Sequence, residues 1–210
     1  MPIATSRKKS TAAPLPRSRD RRAEIIKAAR DVFLERGYAG ASTDEIVARS
    51  GGSKETLYTH FGNKLGLFRE VIVVELDQLF APLHAHPEGT PLERLRLAAR
   101  SFVRQSMRPE AIALMRILIG EGVRIPELTA QVNEIADEKI IGVFAELIAA
   151  VQATGKMKGE PARALAEVFN DLLRGGTVMR ILFEPGLTFP SRKLDAYTDL
   201  CLERLRKLAR

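Results

Sequence analysis

The chain has 210 residues, 45% hydrophobic and 28% charged, which suits one small module plus one larger globular domain and excludes a fibrous or wholly disordered polymer. No apolar run approaches the roughly 20 residues of a membrane span, the N-terminus lacks a signal-peptide core, and the single Cys201 excludes an internal disulfide framework, so a cytoplasmic protein without a membrane partner is expected. The net charge is +7, yet residues 1–22 hold seven basic side chains against Asp20 and leave the remainder at +1, so long-range attraction to a polyanion must come largely from the N-terminal stretch.

Residues 1–19 are rich in Pro, Ser, Thr and basic side chains, which predicts a disordered basic arm. Such an arm can lie along phosphates or enter a minor groove; the plainer alternative is a solvated leader. From Asp20, Ile25, Ile26, Ala29, Val32 and Phe33 recur at helical spacing and Gly37 stops the helix, with Tyr38 in the following turn as core. Ser42-Thr-Asp-Glu45 reads as a capping box that opens a short helix closed by Gly51-Gly52. Ser53 then caps another short helix, in which Leu57 and Phe61 share a buried face while Lys54, Thr59 and His60 face outward, with Thr56 and Tyr58 at the margins. Two short helices joined by a tight glycine turn make a helix-turn-helix, although any small helical domain contains such pairs. Lys54 and Lys64 are cations at helix starts, where the dipole disfavours them, and a nearby phosphate or guanine edge would remove the conflict.

Asn63 caps a long helix from Lys64 to about Phe80 with a wide apolar face. His84 and His86 follow in a Pro-containing loop; with no third ligand nearby they predict solvated residues and no metal site. Thr90-Pro-Leu-Glu93 is a capping box for a helix through Phe102 and Val103. Pro109 opens another that ends near Gly120–Gly122, and Pro126 opens one running to about Ala153. Pro161 opens a helix expected to continue to Leu182, with Gly175-Gly176 marking a close crossing or a kink, and a last helix occupies about 191–209. No stretch predicts a strand, so the fold class is all-α.

The block from Arg21 to Phe68, with Ala28-Ala-Arg-Asp-Val-Phe-Leu-Glu-Arg-Gly-Tyr38, Ser42-Thr43 and Thr56-Leu-Tyr-Thr-His-Phe-Gly-Asn-Lys64, resembles the DNA-binding domain of the tetracycline-repressor (TetR) family. Met115-Arg-Ile-Leu-Ile-Gly-Glu121 and Arg124-Ile-Pro-Glu-Leu128 are similar to its AefR-like, efflux-regulator branch. The resemblance implies a helix-turn-helix domain over residues 20–65 and a helical ligand-binding and dimerisation domain over 66–210, its last two helices forming a four-helix bundle with a second copy. It further implies a repressor on a palindromic double-stranded operator, released by a small-molecule effector that is apolar or aromatic. Ser42, Thr43, Tyr58, His60 and Lys64 would then hold the DNA backbone while Lys54, Thr56 and Thr59 face base edges. Phe102, Met107, Met115, Phe144, Phe169 and Asn170 are candidate pocket residues, each of which is equally a core residue by periodicity alone.

Two departures from the family pattern predict a looser module. Gly52 replaces a common valine and removes a hydrophobic staple to Leu57, and Gly66 costs about 1 kcal/mol of helix propensity against alanine. Asp44 stands where some relatives carry arginine, so a base contact from that position is not expected. The chain lacks a phosphate-cradling glycine loop, paired cysteines or a nucleophile elbow; Gly40-Ala-Ser-Thr-Asp44 lacks the elbow's final glycine. No catalytic residue and no cofactor is therefore expected, and Cys201 reads as inert packing near the dimer interface. The rival readings are a constitutive DNA-binding dimer without a ligand and an enzyme that uses the helical domain as a substrate pocket.

Overall fold

The computed structural model describes residues 17–80 and 88–209, so most of the expected basic arm and both His84 and His86 lie outside the described residues. Among the described residues there are ten α-helices and no strand. The first, α1 (Arg17–Gly40), begins before the expected Asp20 and breaks at Gly37, whose φ of 68° interrupts the helix before one more turn to Gly40. Ile25, Ala29, Val32 and Phe33 form its buried stripe.

α2 (Thr43–Ser50) starts at Ser42, whose hydroxyl accepts the Asp44 N–H, and ends at Gly51 in the left-handed conformation that costs glycine nothing. The expected capping box does not form: the Ser42 hydroxyl takes the N–H of Asp44 rather than that of Glu45, and the Glu45 carboxylate turns to Arg49 and Arg36. A free capping carboxylate would satisfy one backbone donor, whereas two guanidinium groups within reach offer charge-assisted bonds. α3 (Lys54–Phe61) is capped by Ser53 accepting the Thr56 N–H, and buries Leu57 and Phe61, worth about 1.5–3 kcal/mol each. Asn63 Oδ1 accepts the Gly66 N–H at 2.8 Å and opens α4 (Lys64–Phe80).

α4 packs against α1 and α3 and also against the helices that follow, so it belongs to both halves of the chain. These are α5 (Pro91–Ser106), with its complete Thr90–Glu93 capping box, α6 (Pro109–Gly122) and α7 (Pro126–Ala153). The helix expected from Pro161 to Leu182 divides at Gly175 into α8 (Ala162–Arg174) and α9 (Gly176–Phe183). Gly175 adopts ψ −151°, which ends α8, and a side chain there would meet the Tyr197 hydroxyl at 3.1 Å. The paired glycines thus do both jobs considered for them, because α10 (Ser191–Leu208) crosses where α8 stops and the Tyr197 hydroxyl donates to the Leu172 carbonyl. Arg116 of α6 donates to the carbonyls of Leu182 and Ile181, fastening the end of α9. One contiguous apolar core runs from Ile25 to Ala209. Within it Phe144 meets Phe102 and Phe169 edge-on, at centroid separations of 5.5 and 5.3 Å.

Candidate DNA-binding surface and effector cavity

The outer face of α3 is built from side chains its core leaves over. Lys54, Tyr58, Thr59 and His60 are exposed, as is Ser42 at the start of α2, while Thr43, Thr56 and Lys64 are half-buried. The Thr43 and Tyr58 hydroxyls approach to 3.4 Å, so the two helices present these groups together. The Thr56 hydroxyl lies 2.9 Å from that of Ser53.

Lys54 does not wait for a phosphate to relieve its place at a helix start. Its Nζ lies 2.7 Å from Asp44 Oδ1, and hydrogen bonding to that carboxylate raises the lysine pKa. The pair ties α2 to α3 across the turn. Lys64 is also engaged: it donates to the Ala39 carbonyl at 3.3 Å and lies 4.6 Å from the Tyr38 ring centroid, and burial lowers its pKa. Tyr38 in turn packs with Phe33 and Phe68.

Both glycines expected to loosen the module have steric reasons. The Arg21 guanidinium donates to the Ser50 carbonyl at 2.9 Å and to that of Gly51, closing the end of α2, and a side chain at residue 52 would meet it at 3.0 Å. A cation on free carbonyls thus replaces the missing apolar staple. At Gly66 a Cβ would lie 2.1 Å from the Phe61 carbonyl oxygen. The glycine lets α4 start directly against the end of α3. Neither role is visible in sequence spacing, because each depends on an atom from another turn or helix. Arg21 and Arg22 likewise belong to the folded module, since Arg22 pairs with Glu70 and lies 5.5 Å from the Phe61 ring centroid.

Below the module, α4 to α9 enclose a cavity of about 340 Å³, within the range of small-molecule sites. Of the candidate pocket residues, Phe102 and Met115 line it. Phe144 and Phe169 are fully buried behind that wall in the aromatic row, Asn170 is buried without lining it, and Met107 packs on the core at the end of α5. The polar lining includes Glu75, Ser106, Thr129, Asn133 and Arg174. Glu75 is 5% exposed and sits between Arg30 of α1, at 2.5 Å, and Arg108 before α6, at 3.0 Å. Its place in a run of apolar α4 residues could have flagged it from sequence; its partners could not. Among the described residues no three His, Cys, Asp or Glu side chains gather as metal donors, and no helix is long and apolar enough to cross a membrane.

Residues 25–71 match bacterial regulatory proteins of the tetR family, and residues 93–203 match the C-terminal domain of AefR-like transcriptional repressors. The chain belongs to the TetR family. It is 34% identical over 132 residues to the HTH-type transcriptional activator FasR of Mycolicibacterium smegmatis, covering 62% of this chain and 59% of that protein. The chain thus spans about three fifths of the length of the curated relatives it matches first. A TetR-family regulator from Mesorhizobium loti shares the fold, with a TM-score of 0.81 at 24% identity over 92% of this chain and 98% of the other. The flavonoid-responsive regulator FrrA superposes with a TM-score of 0.71 at 26% identity, over 90% of this chain and 96% of the other. TetR-family proteins are DNA-binding transcriptional regulators rather than enzymes, and the α2–α3 pair lies within the matched N-terminal domain.

Proposed function

We propose that this TetR-family regulator is a homodimeric repressor released from a palindromic operator when a small apolar or aromatic molecule enters the cavity. The observation that carries the reading is Glu75, one carboxylate that lines the cavity and holds Arg30 on the first helix of the DNA-binding module. An occupant that shifts Glu75 or Arg108 acts on α1 through a direct ion pair, and α2 and α3 are seated on α1 and α4. The module spans residues 20–65, and the remainder from 66 serves ligand binding and dimerisation.

Ser42, Thr43, Tyr58, His60 and Lys64 hold phosphates in this reading, and Lys54, Thr56 and Thr59 face base edges. Lys54 has to exchange Asp44 for DNA, so its contact is a competition between two acceptors. Dimerisation through α8 and α10 is supported by exposed Val168 and Leu200, a surplus of apolar surface on helices that already have a core. Two modules in successive major grooves, about 34 Å apart, read a palindrome. The flavonoid response for which FrrA is named supports an aromatic effector, and the repressor name of the matched C-terminal family supports release rather than activation.

Selection of duplexes from a random pool tests this directly. The expected winner is a palindrome bound by a dimer, and bound less tightly once a cavity ligand is added. A monomer indifferent to sequence refutes the reading, and a dimer whose affinity no cavity ligand alters leaves it a constitutive DNA-binding protein.

A further inference from the structure

One guanidinium lines the cavity without an ion pair of its own, and it points to a ligand chemistry. Glu75 already has two guanidinium partners. Arg174, the last residue of α8, lines the same cavity, and among the described residues no carboxylate lies within ion-pair distance of it. Asp137 and Asp171 are its nearest electrostatic partners and both remain exposed to water. Burial lowers the Arg174 pKa against the longer-range pull of those two carboxylates, as expected for a half-buried cation with no ion pair. Thr129 lines another wall, but its hydroxyl oxygen faces Gly122, where an added Cβ would meet it at 2.6 Å, and is sealed from the cavity. The rest of the lining is predominantly aliphatic and aromatic, from Ile72, Leu76, Phe102 and Val103 to Met115 and Leu118.

Resting on the cavity as the effector site, we propose that the effector is a monocarboxylate with an apolar body, its carboxylate held by Arg174 and its hydrocarbon or ring packed among α4, α5 and α6. A guanidinium presents paired N–H donors that match a carboxylate's two oxygens, and such charge-assisted pairs are strongest away from water. A neutral apolar occupant covers Arg174 without replacing its hydration, and a cationic one is repelled, so the same residue selects against both. A phosphate monoester carries three oxygens and nearly two charges, more than one guanidinium satisfies. The cavity has room for roughly a dozen water-sized groups at the ~30 Å³ each occupies in the liquid, which suits an eight- to ten-carbon acid or a cinnamate-sized aromatic acid.

Calorimetric titration of the full-length protein with octanoate and trans-cinnamate, each against its neutral amide, tests the proposal. Both acids are expected to bind at least tenfold more tightly than their amides, and Arg174→Gln should erase that preference while leaving amide binding within about threefold. Should Arg174→Gln fail to fold by circular dichroism, the wild-type acid–amide comparison decides the matter. Amides that bind as well as acids, or a preference that survives Arg174→Gln, overturn the carboxylate and leave the effector site standing. Absence of binding by every acid and amide overturns both.

Discussion

Replacing Gly66 by alanine separates helix propensity from packing, because the two act in opposite directions at one position. In the first turn of α4, alanine gains about 1 kcal/mol of propensity. Its Cβ would lie 2.1 Å from the Phe61 carbonyl oxygen, at least an ångström inside ordinary contact, and the obstacle is backbone rather than a flexible side chain. Relief requires moving the end of α3 away from α4, with Leu57, Phe61 and Phe68 packed around that junction. Overpacking of this kind costs about 1–3 kcal/mol and more when backbone must yield, so a net loss of about 1–2 kcal/mol remains. Urea unfolding followed by helical ellipticity should show an earlier midpoint, and a thermal scan a fall of about 2–4 °C per kcal/mol. Gly142→Ala in α7 is the control: no atom lies within 4 Å of its Cβ position, so it should stabilise by about 0.5–1 kcal/mol. Gly66→Ala matching that gain would refute the steric argument.

Asp44→Ala frees Lys54 and removes an anion beside the expected duplex, so DNA affinity by fluorescence anisotropy should rise several-fold; an unchanged affinity contradicts the competition. Lys54→Ala should cost about 1–3 kcal/mol of operator binding and relax preference at one base pair, whereas Lys64→Ala should weaken all duplexes alike. Removing residues 1–16 should flatten the salt dependence of DNA binding by about 0.9 for each phosphate the arm neutralises, and an unchanged slope assigns the arm no role. Arg30→Met combined with Arg108→Met strands Glu75 in the core and should cost about 3–5 kcal/mol in urea unfolding; a loss under about 1 kcal/mol would show that the clamp is idle. Hydrogen bonds from the Thr90 backbone and then its hydroxyl lower the Glu93 pKa below 4.5, so this cap stabilises α5 above that pH and is lost as pH falls through the lowered value. Glu93→Gln should remove that part of the acid sensitivity, read as the difference between the two proteins' midpoints at pH 7 and pH 4.

The order and extent of the helices were legible because their caps are local. Ser53, Asn63, Thr90 and the prolines at 91, 109 and 126 act within a turn of their own residue, and each opens the helix expected of it. The division at Gly175 was less legible, since two glycines permit a crossing, a kink or a break, and α10 decides among them. The exposed side chains of α3 followed from its buried pair, Leu57 and Phe61, by helical geometry alone. Their engagements did not: Asp44 reaching Lys54 and Ala39 receiving Lys64 depend on how consecutive helices cross. The cavity was least legible. Its apolar residues share the periodicity of core residues, so Phe144 and Phe169 could not be told from Phe102. The buried carboxylate of Glu75, inside an apolar run of α4, would have been the better guide, being hard to explain as packing.

The break at Gly175 also bears on the tempo of any occupant's exchange. An eight-residue segment does not hold helical shape without neighbours, so α9, with Val178 on the chamber wall, is its least self-supporting panel. What holds it in place is the double grip of Arg116 on the carbonyls of Ile181 and Leu182. In the reading proposed above, that latch sets an effector's residence time along with complementarity inside, and loosening it should quicken arrival and departure together.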